Sequence, residues 1–212
     1  PIYSNITGTR CNIIAPHGAY RLNFPCLVNQ GTYEGQGAGE YSGSPNQSTG
    51  GTGLYIDHST WMNTRAPERF CLKSANWGTD TYTECCTIKG FRFEGGRTNM
   101  IHDPSFVSAG VGMFDSGEAS SIQSCYAFGF NTDGFMTVRG TPGSFAWCSS
   151  FSNGRYGFGM IGNDLSTTTF IGCSGDDNNF LYGVESGFGR PGGGTTTVLG
   201  NKSESGKRTP SR

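Results

Sequence analysis

Four short segments of the chain repeat one pattern at a nearly constant offset. Each begins with a hydroxyl residue, continues with an apolar one and closes at its fifth position with Cys or Asn. The segments are residues 121–125, 144–148, 169–173 and 197–201, and their closing residues are 23, 25 and 28 positions apart. A repeat of twenty-odd residues built from short strands is typical of a solenoid, in which each coil stacks on the next.

A second pattern, glycine followed by an apolar residue, runs out of phase with the first. It occurs at Gly110-Val111, Gly134-Phe135, Gly157-Phe158 and Gly183-Val184, at offsets of 24, 23 and 26. An earlier segment, 87–91, matches the first pattern at an offset of 34, counted from Ile88 to Ile122. We therefore expect an insertion in its coil, most simply at 98–108. The length of the coil implies a third strand beside the two visible ones.

The composition fits a narrow solenoid. The chain has 35 glycines among 212 residues, which suits many tight turns between short strands. Only 34% of the residues are hydrophobic, yet 15 are Phe and 9 are Tyr. A thin core of stacked aromatic and β-branched residues accounts for both values. The periodic placement of the aromatic residues argues against disorder.

The charge distribution argues against two classes of partner. The chain has fifteen basic and sixteen acidic residues, and it contains no run of basic residues. Binding to nucleic acid through its phosphates is therefore not expected. Since no apolar stretch is long enough to cross a bilayer, membrane insertion is not expected either.

Three of the eight cysteines, Cys125, Cys148 and Cys173, occupy the same position of successive repeats. We predict a structural ladder of small buried thiols. Rungs about 4.8 Å apart with parallel Cβ directions are poorly placed for disulfide bonds. The neighbours Cys85 and Cys86 are not expected to pair with each other. Spacing alone assigns no partner to Cys11, Cys26 or Cys71, so the redox compartment stays open.

The repeats divide the chain into three parts. Residues 1–11 are a lead-in, 12–200 form the solenoid, and 201–212 are a polar C-terminal tail. Within the solenoid we predict loop insertions near 41–53, 57–69 and 98–108. Neither end shows an amphipathic helix that could cap the stack, so oligomerisation or a flanking domain is expected to cover the ends.

Residues 14–22 (IAPHGAYRL) and the later 35–37 (GQG) carry a family resemblance. They resemble the opening coils of pectate-lyase-like right-handed parallel β-helix proteins, and the later Gly-Phe pairs with a corner Cys or Asn are also similar. The resemblance covers most of 12–200 and implies an all-β, right-handed parallel β-helix. That superfamily includes polysaccharide lyases, polygalacturonases, epimerases, bacteriophage tailspikes and structural spikes, so the fold alone does not fix an activity.

The chain departs from this family because the helix that usually caps the N-terminal end is absent. That departure favours a homotrimeric surface spike or fibre component, of a bacteriophage virion, located at the virion surface or otherwise extracellular and engaging cell-surface polysaccharide. Two alternatives stay open. One is a polysaccharide lyase or glycoside hydrolase on the same scaffold, and the other is a purely structural appendage or decoration protein.

The catalytic alternative needs carboxylates that face one groove, or a base with a cation beside a uronic acid. The candidate residues are Asp115, Glu118, Arg139 and Glu185, because the second pattern places Asp115 and Arg139 at equivalent positions of successive coils. The competing interpretation is a polar turn at 115–118 and a solvated arginine at a strand end.

Sugar binding requires exposed aromatic faces. Trp61, Trp77 and Tyr82 lie in predicted loops outside the repeats and are the carbohydrate-binding candidates. The alternative is that they pack long loops against the solenoid. Trp147 falls on a repeat beside Phe145, and we predict that it is packed.

No cofactor or metal is expected. The densest acidic cluster, Asp176 and Asp177 followed by two asparagines, offers oxygen ligands for Ca²⁺. It lacks the alternating spacing of a dedicated calcium loop, and a turn rich in Asn and Asp accounts for it better.

Overall fold

The structure is a computed structural model. It describes residues 11–23, 25–38, 51–56, 68–75, 86–96, 107–114, 120–138, 144–161, 168–176, 178, 188–189, 196–199 and 202–203. Within these ranges all regular structure is strand. The strands of the first half are β1 (Cys11–Ala15), β2 (Gly18–Leu22), β3 (Cys26–Val28), β4 (Gly31–Gly35), β5 (Thr52–Ile56), β6 (Glu68–Ser74), β7 (Cys86–Lys89), β8 (Phe91–Glu94) and β9 (Val107–Phe114). Those of the second half are β10 (Ser121–Gln123), β11 (Tyr126–Phe128), β12 (Asp133–Val138), β13 (Ser144–Ala146), β14 (Ser149–Phe151), β15 (Phe158–Ile161), β16 (Thr168–Ile171), β17 (Ser174–Asp176), β18 (Phe188–Gly189), β19 (Thr196–Leu199) and β20 (Lys202–Ser203).

Each strand pairs in parallel with the strand three places further along the chain. Sheet A has the order β1-β4-β7-β10-β13-β16-β19, sheet B the order β2-β5-β8-β11-β14-β17-β20, and sheet C the order β3-β6-β9-β12-β15-β18. One coil therefore contributes one strand to each sheet. The predicted all-β architecture is confirmed, including the third strand per coil, and it is consistent with a parallel β-helix.

The first sequence pattern sets the register of sheet A. Ser121 pairs with Ser144, Ser144 with Thr169, and Thr169 with Thr197. Ile122 also pairs with Ile88, as the longer offset of 34 predicts. The stacking of like residues in this sheet was therefore readable from the sequence.

The second pattern is confirmed for three coils and wrong for the fourth. Phe135 pairs with both Val111 and Phe158, but the partner of Phe158 in the next coil is Phe188 and not Val184. The chain between these two strands is longer than the average spacing suggests. Spacing alone could not show that the strand that pairs with Phe158 contains the next Gly-Phe pair along the chain.

Several strand boundaries differ from the predicted loops and ends. Strand β1 begins at Cys11, inside the predicted lead-in, and β5 begins at Thr52, inside the predicted 41–53 loop. Strands β6 and β9 likewise include the last two residues of the predicted loops 57–69 and 98–108. In the predicted C-terminal tail, Lys202 pairs with Ser174. In these segments the backbone pairs with a neighbouring coil, so strands form where the polar composition alone predicts a loop or a tail.

The core is a set of stacked aromatic columns between the sheets. In sheet A, Phe145 stacks on Phe170 with ring centroids 5.0 Å apart, and in sheet C, Phe135 stacks on Phe158 at 5.1 Å. The two columns meet edge to face, since Phe158 lies 5.6 Å from both Phe145 and Phe170. Such offset and edge-to-face pairs add to the free energy gained by burying the rings.

The corner between sheets B and C is a polar network centred on Asn153. Its side-chain Oδ1 accepts a bond from the backbone N–H of Phe130 (2.9 Å), and its Nδ2 donates to Ser150 Oγ (2.9 Å) and to Asn178 Oδ1 (2.8 Å). Asn178 in turn donates to the Ser150 carbonyl (3.1 Å). The buried asparagines thus supply partners that the turning backbone cannot find in a sheet.

Cys125, Cys148 and Cys173 lie directly before sheet B strands and are buried as free thiols. The Cys148 sulfur lies 3.4 Å from the Ile122 carbonyl, and the Cys173 sulfur 3.5 Å from the Phe145 carbonyl, each one coil back. Burial, reinforced by the neighbouring Cys125, raises the pKa of Cys148 well above its ordinary value. These thiols fill space and donate weak hydrogen bonds to carbonyl oxygens.

Replacing Asn153 tests the polar corner. Because each buried group left unpaired costs about 1–3 kcal/mol, Asn153→Ala should lower the free energy of unfolding by roughly 3 kcal/mol, measured by urea denaturation. The exposed Asn23 provides a matched control, and Asn23→Ala should change stability by less than about 0.5 kcal/mol. Equal losses in the two variants would contradict the role of this corner.

Thiol labelling tests the burial of the cysteines. Burial raises the pKa of Cys86 to about 12, so its thiolate is scarce near neutral pH. We expect Cys86 and Cys148 to resist iodoacetamide in the native protein near pH 8.5, where about half of an ordinary thiol is ionised. Partial burial also raises the pKa of Cys26, but its side chain reaches solvent and should be alkylated slowly. Peptide mass spectrometry before and after denaturation measures the labelling of each cysteine. Labelling of Cys148 in the native protein would contradict its burial.

Candidate functional site

The four predicted catalytic residues, Asp115, Glu118, Arg139 and Glu185, lie outside the described residues. The strands that precede two of them are aligned, since Val138 pairs with Phe114. Whether the side chains of Asp115 and Arg139 converge stays a prediction.

The predicted carbohydrate-binding residues Trp61, Trp77 and Tyr82 also lie outside the described part of the chain. Of the two predicted calcium ligands, Asp176 is the last residue of β17, and Asp177 lies outside the described residues. Among the described residues, no cluster of three or more His, Cys, Asp or Glu side chains could hold a metal ion.

Trp147 is the main departure from the sequence analysis. We predicted that it packs on its repeat, but 67% of its surface is exposed. Its neighbours Phe145 and Cys148 both point into the core and are fully buried. Because side chains alternate between the two faces of a strand, two inward side chains three residues apart require a turn between them. Trp147 is the residue at that turn.

Trp147 occupies the corner between sheets A and B, where successive coils use left-handed backbone. The equivalent residues Gly90, Ser124 and Gly172 have φ angles of 71°, 49° and 60°, and Trp147 has φ 54°. The Trp147 N–H donates to the Ile171 carbonyl (2.8 Å), which fixes the corner on the next coil. A bulky residue in this region is unusual, and such positions concentrate at functional sites.

The indole ring rests on a glycine of the next coil. A Cβ atom built on Gly172 would collide with the Cε3 and Cζ3 atoms of Trp147. Gly172 therefore serves two purposes, since it accepts the left-handed φ angle and leaves room for the ring. One side of the indole is held against the backbone while most of its surface remains open to solvent.

Neutral side chains occupy the register positions beside Trp147 in the two flanking sheets. On the sheet A side, Ala146 lies in register between Gln123 and Ile171. On the sheet B side, Ser149 lies in register beside Ser174, whose Oγ donates to Ser149 Oγ (2.9 Å). These register neighbours carry hydroxyl, amide and aliphatic groups, and the next position in register with Ser174 is Lys202. We call the surface formed by Trp147, Gly172, Ser149, Ser174 and Gln123 the Trp147 corner.

The outward face of sheet B combines aromatic rings with a buried ion pair. Phe128 and Phe151 stack in register with ring centroids 5.8 Å apart. One coil before Phe128, Glu94 Oε1 lies 2.6 Å from Arg92 Nε, and both side chains are almost fully buried. Burial raises the pKa of Glu94, and Arg92 opposes that rise.

A second ion pair lies on sheet C. Arg155 donates to both oxygens of Asp133, from Nε at 2.9 Å and from Nη2 at 2.6 Å, and the Tyr156 N–H donates to Asp133 Oδ1 (3.1 Å). Asp133 is fully buried, and this burial raises the pKa of its carboxyl against the opposing effect of Arg155. The carboxylate is fully engaged by these donors, so it has a structural role.

The described carboxylates do not form a hydrolytic pair on sheet B. Glu94 and Asp176 stand in one outward column, linked through Phe128 and Phe151 over three parallel pairings. At about 4.8 Å per pairing they are roughly 14 Å apart, whereas glycosidases place their two carboxyl groups about 5–9.5 Å apart.

Comparison with known proteins adds no family assignment. No protein-family model, curated protein or solved structure matches the chain. The stacked parallel sheets are thus supported by the structure alone, and the resemblance to pectate-lyase-like proteins stays a prediction. No helix in the described ranges is long and apolar enough to span a membrane.

The sequence itself marks the Trp147 corner. Within the first pattern, the position before Cys is Ser124, Trp147 and Gly172 in turn. Ser and Gly favour turns, whereas a large aromatic residue does not. Trp at a turn position of the repeat is the anomaly that marks an exposed ring.

A double-mutant cycle tests the contact between the ring and the glycine. Gly172→Ala should lower stability because it introduces both left-handed strain and a collision with the Trp147 ring. In the Trp147→Ala background the collision disappears, so the same change should cost less, with a coupling of about 1 kcal/mol by urea denaturation.

Gly37 supplies the control for backbone strain alone. Its φ is 89°, and a Cβ built there meets no atom within 4 Å. Gly37→Ala should therefore cost the same with and without Trp147. Equal costs of Gly172→Ala in the two backgrounds would show that the ring does not rest on this glycine.

Proposed function

We propose that this protein is a glycan-binding solenoid, in which the Trp147 corner stacks on a neutral sugar unit of a cell-surface polysaccharide. The observation that supports this proposal is the 67% exposure of an indole ring whose position is fixed by a left-handed corner. A ring held in place before binding loses little conformational entropy when a ligand stacks on it.

The groups around the ring favour a neutral sugar. Ser149, Ser174 and Gln123 offer hydroxyl and amide groups that can both donate and accept hydrogen bonds, as sugar hydroxyls require. On sheet A, Lys89 lies two coils before Trp147 and Glu34 three, and these two side chains pair at 3.0 Å. On sheet B, Lys202 is in register with Ser174, and Asp176 lies in the same strand as Ser174. The hydrogen-bonding groups of Ser149, Ser174 and Gln123 are themselves uncharged, which suits the hydroxyl groups of a neutral sugar.

Binding without catalysis fits the described residues better than hydrolysis does. Glu94 is buried against Arg92, and Asp133 is engaged by Arg155, so neither carboxylate faces a groove as a free acid or base. The lyase or hydrolase alternative rests on Asp115, Glu118, Arg139 and Glu185, and it stays a prediction because these residues are not described.

The biological setting is part of the same proposal. A stack of parallel coils provides a stiff scaffold for a spike or fibre at the virion surface, as the sequence resemblance implies. The right-handed pectate-lyase-like superfamily and the trimeric state expected from the sequence also remain predictions. Solution mass would test the trimer.

Affinity electrophoresis in gels containing neutral polysaccharides tests the binding. We would use dextran, mannan and galactan as probes, together with lipopolysaccharide from candidate hosts. The wild-type protein should be retarded by at least one of them, and Trp147→Ala should bind about 30-fold more weakly, which corresponds to ~2 kcal/mol for an aromatic anchor. Trp147→Phe should retain part of the affinity because an aromatic face remains.

Tyr55→Ala is the matched control, since Tyr55 is a half-buried aromatic residue on the outward side of sheet B, away from the corner. It should leave retardation unchanged. Retardation of wild type and Trp147→Ala to the same extent would overturn the proposal. Release of reducing ends or unsaturated uronates from the same polysaccharides would instead favour the catalytic alternative.

A further inference from the structure

An exposed aliphatic side chain stands next to the indole ring at the Trp147 corner. Ile171 is the last residue of β16, and its carbonyl accepts the N–H of Trp147 at 2.8 Å. Because Phe170 points into the core and is fully buried, the Ile171 side chain points outward, and 36% of its surface is exposed. Gly172, on which the ring rests, follows directly in the chain. The ring and the Ile171 side chain are therefore neighbours on the surface.

The outward column that contains Ile171 changes its chemistry along sheet A. Six successive register positions are Glu34, Lys89, Gln123, Ala146, Ile171 and Leu199. The first two are charged, the third carries an amide, and the last three are aliphatic. Trp147 directly follows the first aliphatic position in the chain. Sheet A thus places aliphatic residues beside the ring, whereas sheet B places the hydroxyl groups of Ser149 and Ser174 there.

We propose that the sugar bound at the Trp147 corner carries a methyl group, and that Ile171 selects it. The methyl group of a 6-deoxyhexose, or that of the acetamido group of an N-acetylhexosamine, would lie against Ile171 and Ala146. The face of the sugar ring would stack on Trp147. This inference rests on the proposed glycan binding and adds the class of sugar that is bound.

The polarity of the corner fits such a sugar better than a fully hydroxylated one. A hydroxyl group placed against Ile171 would lose water without gaining a hydrogen bond, because an aliphatic side chain has no donor or acceptor. A methyl group at the same place would bury apolar surface on both sides of the contact. The ring hydroxyls would face Ser149 and Ser174, whose Oγ atoms lie 2.9 Å apart.

The small size of the aliphatic surface favours a sugar over a protein partner. Stable protein interfaces bury about 800 Å² on each partner. Among the residues whose exposure the structure describes, the aliphatic groups beside the ring are Ala146, which is partly exposed, and Ile171. On the preceding coil the same column carries the amide of Gln123. A surface of this extent matches one methyl group of a ligand.

Affinity electrophoresis in gels that contain sugar-substituted polyacrylamide tests this preference. The matched probes are L-fucose with L-galactose, L-rhamnose with L-mannose, and N-acetyl-D-glucosamine with D-glucose. The wild-type protein should bind the methyl-bearing member of at least one pair about 10-fold more tightly, which is within the range that one apolar contact contributes to discrimination. A preference in the first two pairs would identify a 6-deoxyhexose, and a preference in the third an N-acetylhexosamine.

Ile171→Thr tests the residue that we assign. It keeps a β-branched side chain on the strand but places a hydroxyl beside the ring, so the preference should fall below about 2-fold. Ile171→Val should retain most of it. Ile14→Thr makes the same change in the same outward column, at a residue that is 66% exposed. It lies five pairings and roughly 24 Å before Ile171 and should leave the preference unchanged.

The outcomes separate this inference from the proposed function. If Trp147→Ala weakens binding but both members of every pair bind equally, the corner binds a glycan and the assignment of a methyl-bearing sugar is wrong. Binding to a polysaccharide without binding to any methyl-bearing probe would have the same meaning. A preference that survives Ile171→Thr, or that Ile14→Thr abolishes equally, would overturn the role of Ile171. If Trp147→Ala binds as wild type does, or if nothing retards the protein, the proposed function fails as well.

Discussion

Parallel pairing in register is the constraint on which the rest of this structure depends. Because each strand lies directly on the strand of the preceding coil, every side chain meets its counterpart about 4.8 Å away. A column is stable only if its members tolerate one another at that distance. Phenyl rings can stack, as Phe145 and Phe170 do at 5.0 Å, and small thiols can lie above carbonyl oxygens, as Cys148 does. The repetition in the sequence is the consequence of this requirement.

The corners follow the same rule with different chemistry. Where sheet A turns into sheet B, each coil needs a left-handed residue, and Gly90, Ser124, Trp147 and Gly172 satisfy it in turn. A side chain at this position must lie outside the core, so a large residue here becomes exposed. The ring of Trp147 is accommodated because the next corner residue has no Cβ atom. Exposure and fixed position, the two properties that support a binding role, thus have one geometric origin.

The sequence was sufficient where stacking is strict and insufficient elsewhere. The register of sheet A was predicted residue by residue because Ser121, Ser144, Thr169 and Thr197 repeat without interruption. The partner of Phe158 was misplaced because loop length is not constrained by the column above it, and two Gly-apolar pairs competed for one rung. The burial of Trp147 was also misjudged, since periodicity identifies equivalent positions but not which of them turn outward. The asparagine pair at the other corner, Asn153 and Asn178, was missed because its spacing resembles that of any polar turn.

The ion pairs explain why shape and hydrogen bonding would govern the proposed glycan contact. Glu34 is paired with Lys89 on adjacent coils, Glu94 with Arg92 within one strand, and Asp133 with Arg155 at a turn. Each of these pairs cancels charge locally, within one coil or between neighbouring coils. At the Trp147 corner, the positions in register with Ala146 and Ser149 on the adjacent coils carry hydroxyl, amide, aromatic or aliphatic groups, and Lys202 follows one coil beyond Ser174. A ligand at the Trp147 corner would therefore be selected by stacking, hydrogen bonding and fit more than by a long-range field.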